Sequence, residues 1–162
     1  MKEREIQINY REFGHDELGD SDKHLLDVAL DAAKNAYAPY SNFRVGASVL
    51  LSDGTVVSGN NQENAAYPSG LCAERVALFY ANSNYPDKSV ECITIVVISP
   101  DNKIIDQAVS PCGSCRQVIA ETEMRYKKEI RILLVSKNTI LEFKSIEDLL
   151  PLSFKQKDLL TR

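Results

Sequence analysis

From position 90 to 99 the chain reads Val-Glu-Cys-Ile-Thr-Ile-Val-Val-Ile-Ser, apolar at nearly every position and rich in β-branched side chains. That run is too short for a bilayer helix, which needs about twenty residues. Continuous apolarity, in place of alternation, marks a strand covered on both faces. The segment therefore demands a sheet with helices packed above and below it, and the flanking sequence supplies them. Residues 22–37 set Leu25, Leu26, Val28, Ala29, Leu30, Ala32, Ala33 and Ala36 on one helical face, with Ser21 or Asp22 as the cap. A second helix is expected over residues 71–81. A third is expected from Pro111, a residue suited to a helical first turn, to about Arg125.

Four further segments read as strands: 43–51 and 55–59, joined by a turn at Asp53-Gly54, then 130–136 and 140–143, joined through Lys137-Asn138. Short helical pieces are expected near 146–150 and 155–160. Helices interleaved with apolar strands imply an α/β sheet. The 162 residues suit one compact domain over 21–162. Residues 1–20 are expected to form an N-terminal arm, in which Ile6, Ile8 and Tyr10 alternate with polar neighbours as in a short strand.

The charge balance narrows the function classes. Nineteen Lys and Arg stand against 23 Asp and Glu, and the closest approach to a basic stripe is Arg125, Lys127, Lys128 and Arg131. Affinity for a nucleic-acid polymer depends on many basic contacts to phosphate, so a small substrate is expected instead. The opening MKEREIQINY is too charged for a secretory signal, and no membrane contact is expected. The expected location is the cytoplasm.

Four cysteines are present, at positions 72, 92, 112 and 115. Cys92 lies inside the apolar strand and reads as a small buried hydrophobe. The other three sit in Cys72-Ala73-Glu74-Arg75 and Pro111-Cys112-Gly113-Ser114-Cys115, and each segment opens an expected helix. Cys112 and Cys115, three apart, project to one side of a first turn. Free N–H groups and the positive end of the helix dipole favour thiolates there. Cys72 completes a trigonal face if the two helix starts lie side by side. One zinc ion per chain would then keep an open fourth position, the arrangement of a catalytic site.

Glu74 turns a metal site into an enzyme. Two positions from a ligand, it need not bind the metal, and it is long enough to reach the open position and move protons there. Three thiolates would give the centre a net charge of minus one and weaken the Lewis acid. Arg75, three beyond Cys72, and Gln117, two beyond Cys115, are placed to hydrogen-bond sulfur and draw that charge back. A redox pair at Cys112 and Cys115 would leave Cys72 and Glu74 without a role. A purely structural zinc would want a fourth ligand, and Cys92, His15 and His24 are poorly placed to supply it.

These two segments carry the known signature of zinc nucleoside and nucleobase deaminases in its three-cysteine form. Over residues 25–160 the chain resembles the small homotetrameric cytidine deaminases. The likeness rests on those segments, on Ala38-Pro39-Tyr40-Ser41-Asn42-Phe43-Arg44-Val45-Gly46-Ala47, on Asn61-Gln62-Glu63-Asn64-Ala65-Ala66-Tyr67-Pro68, and on the tail Leu149-Leu150-Pro151-Leu152-Ser153-Phe154. Gln62 and Asn60 stand where that family more often has apolar residues, and Arg44 where it often has proline. The resemblance implies a three-layer α/β/α sandwich on a five-stranded mixed sheet. It also implies hydrolysis of cytidine and 2′-deoxycytidine to the uridine nucleosides with release of ammonia, in pyrimidine salvage.

By the same resemblance, Glu74 is the catalytic residue, Asn61 and Glu63 hold the ribose 3′-hydroxyl, and Phe43 stacks on the pyrimidine. The Ala73 N–H binds the base carbonyl, and Phe154 reaches a neighbouring subunit's site, so that the homotetramer shares its active sites. Two alternatives remain open at this point. One is a deaminase of another aminopyrimidine compound such as blasticidin S, a family that also places cysteine first. The other is a zinc-stabilised binding protein without catalysis.

Overall fold

The computed structural model describes residues 1–160; Thr161 and Arg162, the last positions of the expected 21–162 domain, lie outside the described residues. One mixed sheet forms the middle layer. Its strands are β1 (Arg11–Gly14), β2 (Arg44–Leu51), β3 (Val56–Asn60), β4 (Val90–Ile98), β5 (Arg131–Val135) and β6 (Thr139–Phe143), in the order β1-β6-β5-β4-β2-β3. β4 and β5 run parallel, with Ile93 opposite Ile132 and Ile95 opposite Leu134, and the other neighbours are antiparallel. The helices are α1 (Asp20–Lys34), α2 (Ala73–Asn84), α3 (Gly113–Tyr126) and the short α4 (Gln156–Leu160).

β4 lies inside the sheet and is buried from Cys92 through Ile98, as its unbroken apolarity requires. Its two faces serve different layers. Ile93 and Ile95 join Ala47, Val49, Ala77, Leu78, Ile119 and Ile132 on the side of α2 and α3. Cys92 and Val96 join Leu25, Leu26, Ala29 and Leu133 on the side of α1. β2 divides by parity in the same way. Ala47 and Val49 face α2, and the Ser48 hydroxyl donates to Leu25 O on α1 at 2.7 Å.

Two glycines let helices approach the sheet. A Cβ on Gly46 would lie 1.9 Å from Ala29 O, in α1. A Cβ on Gly59 would lie 2.5 Å from Ala77 N and 2.8 Å from Ala73 O, in the first turns of α2. The second contact matters for function because it sets the height of the helix start that carries Cys72.

The sheet has six strands where five were expected. The additional one, β1, pairs Arg11 with Glu142 and Phe13 with Ile140 along the edge of β6. Apolar alternation at Ile6, Ile8 and Tyr10 pointed a few residues too early, and all three side chains are exposed. What holds β1 is backbone pairing, the Arg11–Glu142 ion pair and the Tyr10 ring tilted 5.5 Å from Phe143. None of these has a periodic signature.

α1 begins at Asp20 after Gly19, ahead of the expected cap. Asp20 and Asp22 in its first turn suit the positive end of the helix dipole. It stops at Lys34, short of Tyr37, because the Tyr37 backbone is used elsewhere: its N–H donates to Asn61 O and its carbonyl accepts from Glu63 N. Among the described residues no helix is long and apolar enough to cross a membrane.

Candidate active site

Cys72 and Cys112 are the residues immediately before α2 and α3, each in extended backbone conformation. Because both helices cross the same face of the sheet, their starts lie side by side. The Cys72 and Cys112 sulfurs are 3.7 Å apart, those of Cys112 and Cys115 are 3.4 Å apart, and all three lie within 4.8 Å of one another. Sulfurs on a tetrahedral zinc at about 2.3 Å stand about 3.8 Å apart. The donor set, its spacing and its place over two helix N-termini fit that ion. Cys92 is remote in character: burial pushes its thiol up to about 11.

Within the sulfur cluster the charge settles on Cys72. A hydrogen bond from Cys115 and the Arg75 guanidinium bring Cys72 down to about 5, while Cys115, which keeps the shared proton, is raised. Arg75 lies with one terminal nitrogen 4.0 Å from Cys72 Sγ and 3.4 Å from Gly70 O, and its Nε is buried with no hydrogen-bond partner. Gln117 is placed differently from the expectation. Its amide donates to Phe154 O at 2.9 Å and ties the tail to α3, so of the two expected donors it is Arg75 that approaches sulfur.

Glu74 is 4% exposed and lines the cavity beside the cysteines. Burial raises its carboxyl above the ordinary range, and the negative Cys72 adds to that. A carboxyl that holds a proton more readily than usual, at the edge of a cavity, suits a group that must accept and return one.

The cavity measures about 570 Å³, of the size that holds a small molecule. Val45 and Ile95 contribute to its lining from the sheet, Cys72, Glu74 and Cys112 from the cysteine cluster, and Tyr40, Phe43, Asn61, Glu63 and Tyr67 from the connecting segments. Among the described residues Arg75 is the one basic side chain in that lining, and it approaches Cys72. Ala73 is fully buried at the first position of α2, where backbone N–H groups have no partner within the helix.

Asn61 and Glu63 lie in an extended segment clamped to the Tyr37 backbone. The Asn61 amide donates to Phe43 O at 2.8 Å and accepts from Val45 N at 2.8 Å. Glu63 accepts from Tyr40 N at 2.9 Å, Ser41 N at 3.3 Å and the Ser41 hydroxyl. These bonds, the Ser41 hydroxyl first, hold its carboxyl below the ordinary range. Phe43 stands partly exposed at the cavity rim, whereas Phe154 is 56% exposed and outside the cavity of its own chain. The residues that sequence reasoning missed are Tyr40 and Ser41. They were visible as part of a matching stretch but carried no signal of contact with Glu63, 23 and 22 positions away.

Comparison with known proteins gives a consistent result. The family model for the cytidine and deoxycytidylate deaminase zinc-binding region matches residues 20–128. The cytidine deaminase of Halalkalibacterium halodurans is 38% identical over 135 residues, 83% of this chain and 95% of that one. That of Sporosarcina psychrophila is 39% identical over 135 residues, covering 83% and 92%. Among solved structures, the cytidine deaminase of Burkholderia pseudomallei matches with a TM-score of 0.67 at 36% identity, covering 82% of this chain and 98% of that one.

Proposed function

We propose, for a chain that belongs to the cytidine and deoxycytidylate deaminase family, a specific activity: hydrolysis of cytidine and 2′-deoxycytidine to the uridine nucleosides and ammonia. The observation that carries the reading is the set of three sulfurs at zinc-like separations beside a buried glutamate. One zinc ion per chain, held by Cys72, Cys112 and Cys115, would supply a Lewis acid and lower the pKa of water beside the substrate.

The chain's own groups do the rest. Glu74 takes a proton from the attacking water and passes it to N3 as oxygen adds at C4. It then takes the second proton from that oxygen and delivers it to the exocyclic nitrogen, which leaves as ammonia. Arg75, beside Cys72, draws charge from the thiolate. The Ala73 N–H donates to the base carbonyl, Phe43 stacks on the ring, and Asn61 and Glu63 hold the ribose end. Gln117 supports the tail, whose exposed Phe154 reaches a neighbouring subunit's cavity in a homotetramer. The setting is cytoplasmic pyrimidine salvage.

Nucleosides are favoured over nucleotides because, among the described residues, the cavity lining offers no cation to a phosphate: Arg75 is committed to Cys72 and Gly70. Ammonia release from cytidine, 2′-deoxycytidine, cytosine and deoxycytidylate tests this. Turnover of the two nucleosides well above the other compounds is expected. Turnover of deoxycytidylate alone would overturn the assignment.

A further inference from the structure

The turn that precedes β2 is built around one hydroxyl. Ser41 Oγ donates to Glu63 Oε1 and accepts from the Phe43 N–H at 3.0 Å. The Ser41 N–H and the Tyr40 N–H both end on Glu63 Oε2, at 3.3 and 2.9 Å. Asn42, between Ser41 and Phe43, has a φ of 56°, the left-handed region that asparagine tolerates better than most residues. Its N–H closes the turn on Ala38 O at 3.0 Å. Each of these bonds constrains the direction in which Phe43 leaves the turn.

A hydroxyl has one donor and two acceptor sites, so Ser41 spends its only proton on Glu63. A carboxylate accepts at about four sites. Glu63 has two filled on Oε2 and one on Oε1, which leaves one site on Oε1 for an incoming donor. We infer that Ser41 is a positioning residue that couples Glu63 and Phe43, two side chains that line the substrate cavity. Through one side it aims the open lone pair of Glu63 at the sugar, and through the other it holds the Phe43 ring at the cavity rim.

This rests on the proposed role of Glu63 as acceptor for the ribose 3′-hydroxyl. Without the Ser41 hydroxyl, Glu63 keeps its two backbone donors but its Oε1 is free to rotate toward solvent. The Phe43 N–H loses its acceptor at the same time. Ser41 is exposed, so its replacement leaves no internal cavity.

The test compares kcat and KM for cytidine and 3′-deoxycytidine in the parent enzyme, Ser41→Ala and Ser41→Thr, each with zinc content and unfolding temperature measured. The parent is expected to prefer cytidine. In Ser41→Ala that preference should fall about tenfold, mainly through the KM for cytidine, with kcat changed less than twofold. Ser41→Thr, which keeps a hydroxyl, should retain most of the preference. A Ser41→Ala enzyme that keeps the full preference for cytidine, whatever common factor both substrates lose through Phe43, overturns the inference and leaves the role of Glu63 standing. A parent that treats both substrates alike removes the role of Glu63, and the inference with it.

Discussion

Cys72 and Cys112, forty positions apart in the chain, bring their sulfurs to 3.7 Å because each is the last extended residue before a helix on the same face of one sheet. The metal-binding geometry therefore depends on how those two helices seat against the strands beneath them, more than on any local loop.

The seat of α2 is tested at Gly59. A Cβ there meets backbone atoms of Ala73 and Ala77, which cannot rotate aside. Gly59→Ala should destabilise the fold by about 1–3 kcal/mol, the usual cost of overpacking. It should also raise the rate at which a chelator strips zinc, since the start of α2 must lift and carry Cys72 with it. Denaturant unfolding and a colorimetric zinc assay read the two effects, and a variant with parental values in both would contradict this account of the helix seat.

Thiol reactivity separates the four cysteines. In the metal-stripped, folded chain, Cys72 is expected to react first with an alkylating reagent at neutral pH, because its thiol sits near 5. Cys92 should react only after unfolding, being buried and raised to about 11. Peptide mapping by mass spectrometry gives the order. Protection of Cys72, Cys112 and Cys115 by added zinc, with Cys92 indifferent to it, completes the expected pattern.

Arg75 should matter for rate more than for metal retention. Its guanidinium approaches Cys72 Sγ at 4.0 Å, and its loss leaves that thiolate to donate more charge. Arg75→Gln is expected to lower kcat for cytidine by about 10- to 100-fold, the usual range for groups that support metal ligands. Zinc per chain should stay near one. Loss of zinc in parallel with activity would make Arg75 a structural tie to Gly70 instead.

Glu63 should titrate low. Hydrogen bonds from Ser41 and Tyr40 favour its charged form, so its midpoint lies below the ordinary 4.5. A depressed carboxyl contributes stability that is present above its unfolded value and is lost as pH falls through the folded one. Carboxyl-carbon NMR, assigned with Glu63→Gln, should show the low midpoint in the parent and a shift back toward 4.5 in Ser41→Ala.

Much of this was legible in the sequence because it is local or periodic. The β4 run, the α1 apolar face and the two cysteine-led helix starts appear close to where their patterns put them. Strand β1 was expected a few residues too early because Arg11–Gly14 has no apolar alternation and is defined by its partner β6 and by Glu142, 131 positions from Arg11. Gln117 was expected at sulfur from spacing alone, but the amide that spacing placed near Cys115 is taken by Phe154 O. The bonds of Asn61 and Glu63 to residues 40–45 escaped for the reason that displaced β1: side-chain to backbone contacts across a fold leave no periodic trace.

The proposed function turns on Glu74, which moves protons over a zinc centre it does not hold. Its most direct test is zinc content and ammonia release from cytidine for the parent and Glu74→Gln, side by side. One zinc per chain is expected in both, with a loss of about a thousandfold in kcat for the variant, within the range of a lost acid–base group. A zinc-loaded Glu74→Gln enzyme that releases ammonia at the parental rate would contradict it.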